Sequence, residues 1–352
     1  MKVTPIQIGD REIGPDQPPF IIAEMSGNHN QSLERAFEIV DAAASAGAHA
    51  LKLQTYTADT MTLNVDRDEF KILDPSSLWY GRHLYQLYED AHTPWDWHEP
   101  IFKRAHEHGM IVFSSPFDES AIEFLESLNV PAYKIASFEL TDLRLIATAA
   151  RTGKPLVIST GMANLAEIQQ AVDCARQHGC HQIALLKCTS TYPATPESTN
   201  LRTIPHLREC FHTQVGLSDH TAGVGASVAA VALGATVIEK HFTLCRADGG
   251  VDSAFSLEPD ELKSLVIETE RAWQAMGQIH YGAEGIQQKS LAFRRSIFIA
   301  QDIATGEVVR PDQIRIVRPG HGLAPSLWDR VCGRTARRDL KCGEPTDWDM
   351  FV

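Results

Sequence analysis

The sequence has no run approaching the roughly 18 consecutive apolar residues of a membrane-spanning helix. Its opening, MKVTPIQIGDREIG, has no apolar stretch behind a basic head. Both absences point to a cytoplasmic protein without a membrane partner. Cysteine is sparse and unpatterned: there are seven, an odd number with no Cys-x-x-Cys pair, so no disulfide framework is expected and the thiols read as free. Positive charge is short too, with 32 Lys and Arg against 45 Asp and Glu and a net charge of −13. So acidic a chain lacks the basic face that nonspecific binding to nucleic acid or an anionic membrane requires. An anionic small ligand must therefore find a local island of positive charge.

What is present is an alternation. Over the first three quarters of the chain, short β-rich apolar runs alternate with helix-period stretches, the pattern of parallel βα units. Eight strands are expected, at 19–26, 50–56, 111–117, 132–137, 155–161, 183–189, 213–221 and 236–243. Among the helix candidates between them, WDWHEPIFKRAHEHG and ANLAEIQQAVDCARQHG end in the Gly favoured just past a helix C-terminus. Eight such units in about 250 residues give the arithmetic of a TIM barrel. The longest interruption, 57–92, holds Phe70, Trp79, Tyr80, Tyr85 and Tyr88 and suggests a rim or lid. After a last helix at 260–276 the pattern changes. We therefore expect a barrel over 1–277, a polar, Gly-containing linker over 278–294 and a small β-rich domain over 295–352.

In such a barrel the active site forms at the C-terminal ends of the strands. His220 and His241 end adjacent strands, so their imidazoles can meet either as metal ligands or as two hydrogen-bonded histidines. The one cysteine near them in sequence is Cys245. Two nitrogen ligands, with water and substrate completing the shell, suit a divalent ion such as Mn²⁺ better than a closed structural zinc site. Lys52 and Lys134 lie inside apolar strands, where a buried ammonium needs an anion. Either they pair with Glu24, Glu139 or Glu239, or they join the hydroxyls of Ser115, Ser137, Ser159 and Ser218 in binding a phosphate and a carboxylate. A lysine on a barrel strand also suits a Schiff-base route. Glu24 and Glu139 can handle protons, grip substrate hydroxyls or simply neutralise the lysines.

The strings IIAEMSGNHN, LKLQTY, FSSPFD, AYKIASFE, ISTGM, GLSDHT and IEKHFTL, in this order and spacing, resemble the sialic acid synthase family. In the tail, VRPGHGL resembles the antifreeze-like (SAF) domain of those enzymes, so the resemblance covers almost the whole chain. The variants EMSGNHN, SLWYGRHLYQLYEDAHTPW, SFELTD and DGGVDSAFSLEPDE are more similar to the pseudaminic acid branch of the family than to its N-acetylneuraminate branch. The resemblance implies a TIM (β/α)8 barrel with a small C-terminal β-rich SAF domain. It also implies condensation of phosphoenolpyruvate with an open-chain acetamido sugar, here 2,4-diacetamido-2,4,6-trideoxy-L-altrose, and a divalent metal ion, commonly Mn²⁺. The neighbouring outcomes are neuraminate or legionaminate synthesis from another hexose and, more remotely, noncatalytic carbohydrate binding.

Carried over by motif, the resemblance makes His220 and His241 the metal ligands. It makes Lys52, Ser115, Lys134, Ser137, Ser159 and Ser218 the phosphoenolpyruvate contacts. Ser190 stands where the family tends to carry Asn, and joins the substrate-binding set from that position. Glu24, Gln54, Glu139, Tyr192 and Asp252 are left for the sugar and for proton handling. Arg318 of RPGHG is expected to reach the partner's barrel in a domain-swapped homodimer.

Overall fold

The computed structural model describes residues 3–75 and 77–352, which fall into two compact units divided after Gly277. The first unit opens with an antiparallel hairpin, β1 (Ile6–Ile8) and β2 (Arg11–Ile13). The turn between them uses Gly9 at φ +59°, a conformation that favours glycine. These two strands lie outside the βα alternation, so the eight-strand count does not include them.

Eight parallel strands then close a barrel. They are β3 (Phe20–Glu24), β4 (Ala50–Thr55), β5 (Ile111–Pro116), β6 (Tyr133–Ile135), β7 (Leu156–Ser159), β8 (Ile183–Cys188), β9 (Gln214–Asp219) and β10 (Val237–His241). β10 pairs with both β9 and β3 and so seals the ring. Each lies within one of the eight expected runs, trimmed where polar residues turn the chain out of the sheet. The barrel strands are buried on both faces, as parallel strands covered by helices must be.

Each strand is followed by a helix whose ends are fixed locally. Ser32 caps Leu33–Ala46 by accepting from the Arg35 N–H, and Gly47 ends that helix at φ +89°. Asn164 and Glu167 form a reciprocal capping box on Leu165–Gln177. The interruption after β4 carries two short helices, Ala58–Met61 and Leu84–Ala91, with a bridge between Lys71 and His83.

The second unit has its own core, built around Ile297, Ile299, Ile303, Val309, Ile314, Val331, Leu340 and Phe351. Its one regular sheet is antiparallel, β11 (Ser296–Ile299) against β12 (Ile314–Val317), extended by isolated bridges. Within 278–294 the structure has a short helix, Ile286–Ser290, followed by a 3-10 turn. Among the described residues no helix is long and apolar enough to cross a membrane.

Candidate active site

Side chains alternate across a strand, so residues two apart share a face. Lys52 and Gln54 therefore face the barrel axis together, as do Glu239 and His241. These residues line a cavity of about 400 Å³ at the C-terminal ends of the strands. Ser115, Lys134, Ser137, Glu139, Ser159, Tyr192, Ser218, His220 and Asp252 line it too.

The floor is an ion-pair cluster. Lys52 Nζ lies 2.6 Å from Glu24 and 3.9 Å from Glu239, and donates to Ser115 Oγ at 3.2 Å. Lys134 Nζ lies 3.3 Å from the same Glu239, which also accepts from Ser218 Oγ at 3.1 Å. Both lysines are almost fully buried. Burial lowers the pKa of Lys134, and Glu239 restores only part of it. For Lys52 burial acts the same way, but Glu239 and Glu24 outweigh it and hold the pKa above the ordinary value. Burial pushes Glu24 up, against the pull of Lys52. Glu239 is held down despite burial because it sits between two lysines. Two lysines and two carboxylates thus form one buried, coupled ion-pair cluster, with the hydroxyls of Ser115 and Ser218 at its edge.

Two expected site residues of the barrel do not line the cavity, and Arg318 belongs to the second unit. Glu24 lies behind Lys52, accepting from Gln54 Nε2 at 2.9 Å. Ser190 packs against Gly161, where a Cβ would come within 2.1 Å of its Oγ. Asp252 accepts from Ser26 Oγ, and its carboxylate lies 3.5 Å from His241 Nδ1. Glu139, half-buried, has its pKa raised to about 7 by burial, against weaker pulls from its own backbone and from Lys134.

The two histidines are brought together, with ring centroids 5.3 Å apart. His220 Nδ1 lies 3.0 Å from the Thr189 carbonyl. Donation to that oxygen leaves Nε2 with a free lone pair, the usual arrangement of a metal-ligating histidine. His241 Nδ1 is buried without a hydrogen-bond partner among the described residues. Its pKa is driven well below the usual value by burial first and then by the charges of His220 and the nearby lysines, so its ring is neutral. For His220 burial acts the same way, but Cys188, the Thr189 carbonyl and Glu239 outweigh it and raise its pKa, so it is the closeness of the two rings and the bare His241 Nδ1 that suit a divalent ion. The described residues hold no cluster of three His, Cys, Asp or Glu that could hold a metal ion. The cysteine beside this pair is Cys188, whose Sγ is 3.9 Å from His220 Nδ1; Cys245, adjacent in sequence, does not line the cavity. The signal for Cys188 was its place at the end of β8.

A network on the outer face of the barrel escaped the reading of inward-facing residues. Lys240, one residue before His241, alternates outward, and its register partner Asp219, one residue before His220, does the same. Lys240 Nζ donates to Asp219 at 3.1 Å, to the Thr221 carbonyl at 2.6 Å and to the Gly223 carbonyl at 2.7 Å. Asp219 also accepts from the Thr221 N–H and hydroxyl and from Ser227 Oγ. This fully buried pair clamps the turn carrying His220 to the strand carrying His241. Removing one partner strands the other charge, so Lys240→Met is expected to cost about 3–5 kcal/mol of stability. The double variant Asp219→Asn, Lys240→Met should recover part of that loss. Urea denaturation midpoints check this, and an unchanged midpoint for Lys240→Met would refute the clamp.

Above the floor stands the segment 57–92, expected as a rim. Trp79 and Tyr88 do line the cavity, whereas Phe70, Tyr80 and Tyr85 do not. Trp79 Nε1–H donates to the Val251 carbonyl at 3.0 Å and so ties the rim to the loop that carries Asp252.

Fold and site together define a class: a (β/α)8 barrel with buried lysines, hydroxyls and paired imidazoles gathered in one cavity at the strand C-termini, where enzymes of this fold carry their active sites. Comparison with known proteins narrows the class. Residues 39–281 match the NeuB family and residues 294–352 the SAF domain. The chain is 42% identical to the pseudaminic acid synthase of Campylobacter jejuni serotype O:2 over 96% of its length and 98% of the relative's. It is 43% identical to the pseudaminic acid synthase of Helicobacter pylori, covering 95% and 98%. The N-acetylneuraminic acid synthetase of Leptospira borgpetersenii, solved with citrate, superposes with a TM-score of 0.73 at 31% identity, covering 82% of this chain and 95% of that one. The chain belongs to the NeuB family.

Proposed function

We propose that this protein is a pseudaminic acid synthase, condensing phosphoenolpyruvate with 2,4-diacetamido-2,4,6-trideoxy-L-altrose and releasing phosphate. The observation that carries the reading is the convergence of Lys52 and Lys134 with Ser115, Ser137, Ser159 and Ser218 in one cavity with His220 and His241. The identity to two pseudaminic acid synthases over nearly the whole chain supports the choice of sugar. In this reading the lysines and hydroxyls hold the phosphate and carboxylate of phosphoenolpyruvate by charge-assisted hydrogen bonds. A divalent ion, in our reading Mn²⁺, held by His220 and His241 would supply Lewis-acid polarisation of the sugar aldehyde.

A C–C bond then forms between C3 of phosphoenolpyruvate and the aldehyde carbon, whose oxygen takes up a proton. Water adds at C2 and the C2–O bond to phosphate breaks, leaving the 2-keto acid and inorganic phosphate. The lysines oppose the charge of the phosphate as it leaves. Phosphate release assayed over a panel of acetamido hexoses tests the assignment. Preference for N-acetylmannosamine or for the legionaminate precursor would overturn the sugar, and no release with any hexose would overturn the reaction.

Glu139 is assigned to proton handling with Asp252, and Gln54 and Tyr192 to the sugar. A carboxyl with a pKa near 7 exchanges its proton at working pH. The kcat/KM profile should therefore contain an ionisation near pH 7 that disappears in Glu139→Gln. A profile unchanged by the substitution would remove Glu139 from the chemistry.

We also infer a domain-swapped homodimer in which Arg318 completes the partner's site. Residues 294–352 hold ten Lys and Arg against eight Asp and Glu, so a basic tail would meet an acidic barrel.

A further inference from the structure

Between residues 57 and 92 the chain carries ten Asp, Glu, Lys and Arg residues, yet none of them lines the cavity. They face away and pair with one another: Arg67 with Glu69 at 2.9 Å, Lys71 with Asp66 at 2.8 Å, and Arg82 with Asp90. The face turned inward is instead made by Met61, Ile72, Trp79, Leu84, Leu87 and Tyr88. Apart from Ser77 and the Tyr88 phenol, the segment's described lining residues offer no free polar side chain, because the one N–H of Trp79 is committed to Val251. A segment this polar that turns a mainly apolar face to the cavity is patterned for what the cavity receives.

The wall is also held in place. At Gly27 an added Cβ would lie 2.7 Å from Val251 and 2.9 Å from the Ala91 carbonyl, so the end of the segment packs directly on the turn after β3. Tyr88 stands edge-on to Tyr56 with ring centroids 5.8 Å apart. A surface fixed before binding discriminates without first being ordered.

We propose that this apolar wall selects the acceptor sugar, receiving the deoxygenated C6 methyl at the end of the aldehyde remote from C1. The inference rests on the synthase reading above. In that reading the phosphate and carboxylate of phosphoenolpyruvate occupy the lysine floor, and C1 of the sugar must meet C3 there. The far end of the open-chain sugar is then directed towards the rim. A methyl group there is buried against Leu84, Ile72 and Met61. A hydroxyl placed against those three side chains loses water and meets no donor or acceptor from them, which opposes its binding.

The test compares kcat/KM for 2,4-diacetamido-2,4,6-trideoxy-L-altrose with that for the same sugar bearing a C6 hydroxyl. The wild type should favour the deoxy sugar by roughly 10- to 100-fold, the scale on which an apolar pocket discriminates. Leu84→Asn and Ile72→Asn should each narrow that ratio several-fold with KM for phosphoenolpyruvate unchanged, whereas Leu84→Met should preserve it. Equal kcat/KM for the two sugars in the wild type would overturn the wall alone. So would an Asn variant that lowers both sugars by the same factor. No phosphate release from either sugar would overturn the reaction itself, and the wall's role with it.

Discussion

Chelating divalent ions abolishes phosphate release, adding Mn²⁺ restores it, and neither His220→Ala nor His241→Ala recovers at any practical Mn²⁺ concentration: this is the result expected of the paired imidazoles. The size of the effect follows from the chemistry. Lewis-acid polarisation contributes several kcal/mol to the transition state, so its loss lowers kcat by about a thousandfold or more. Binding can be read without turnover, since Mn²⁺ titrated into the wild type and followed by electron paramagnetic resonance should saturate one site per chain. Each alanine variant, left with one nitrogen donor, should bind far more weakly. Full turnover in the metal-free protein would contradict this. Combined with trapping of pyruvate on Lys134 by borohydride, it would move the chemistry to an imine. The lowered pKa of Lys134 is the feature that keeps this alternative chemically coherent.

Much of this site was legible because barrel geometry converts sequence order into position. A polar residue within or at the end of an apolar barrel strand is already a candidate to face the cavity, and so Lys52, Ser115, Lys134, Ser159, Ser218, His220 and His241 were found where they stand. What strand position does not encode is depth. Glu24 ends β3 as His241 ends β10, and the two are register partners. Yet Glu24 is screened from the cavity by Lys52, while His241 lines it. Nor does it encode contacts between distant loops. The donation from Trp79 to Val251 spans 172 positions, and nothing local to either residue announces it. Lys240 was passed over for a third reason: beside Glu239 and His241 it reads as part of one polar cluster, and only the alternation of side chains sends it to the opposite face.

Mixing two impaired variants, Arg318→Ala and Lys134→Ala, should raise activity well above either alone if the tail arginine serves the partner's barrel. Each variant alone loses a charge-assisted contact to an anionic substrate, worth about 1.5–3 kcal/mol or roughly a ten- to hundredfold loss. Arg318 follows the last residue of β12, exposed, at the edge of a unit with its own hydrophobic core. Its replacement should therefore leave the barrel folded, which the thermal transition can confirm. In a reassociated mixed dimer, the barrel of the Arg318→Ala subunit keeps Lys134 and receives Arg318 from the tail of the Lys134→Ala subunit. The other barrel lacks both. One site in two is then complete, so each mixed dimer should reach about half the wild-type rate. If Arg318 acts within its own chain, both barrels of the mixed dimer remain defective and activity does not rise. Native mass spectrometry establishes that exchange has occurred, so a mixture of proven heterodimers that gains no activity excludes the trans arrangement and returns Arg318 to its own barrel or to no barrel at all.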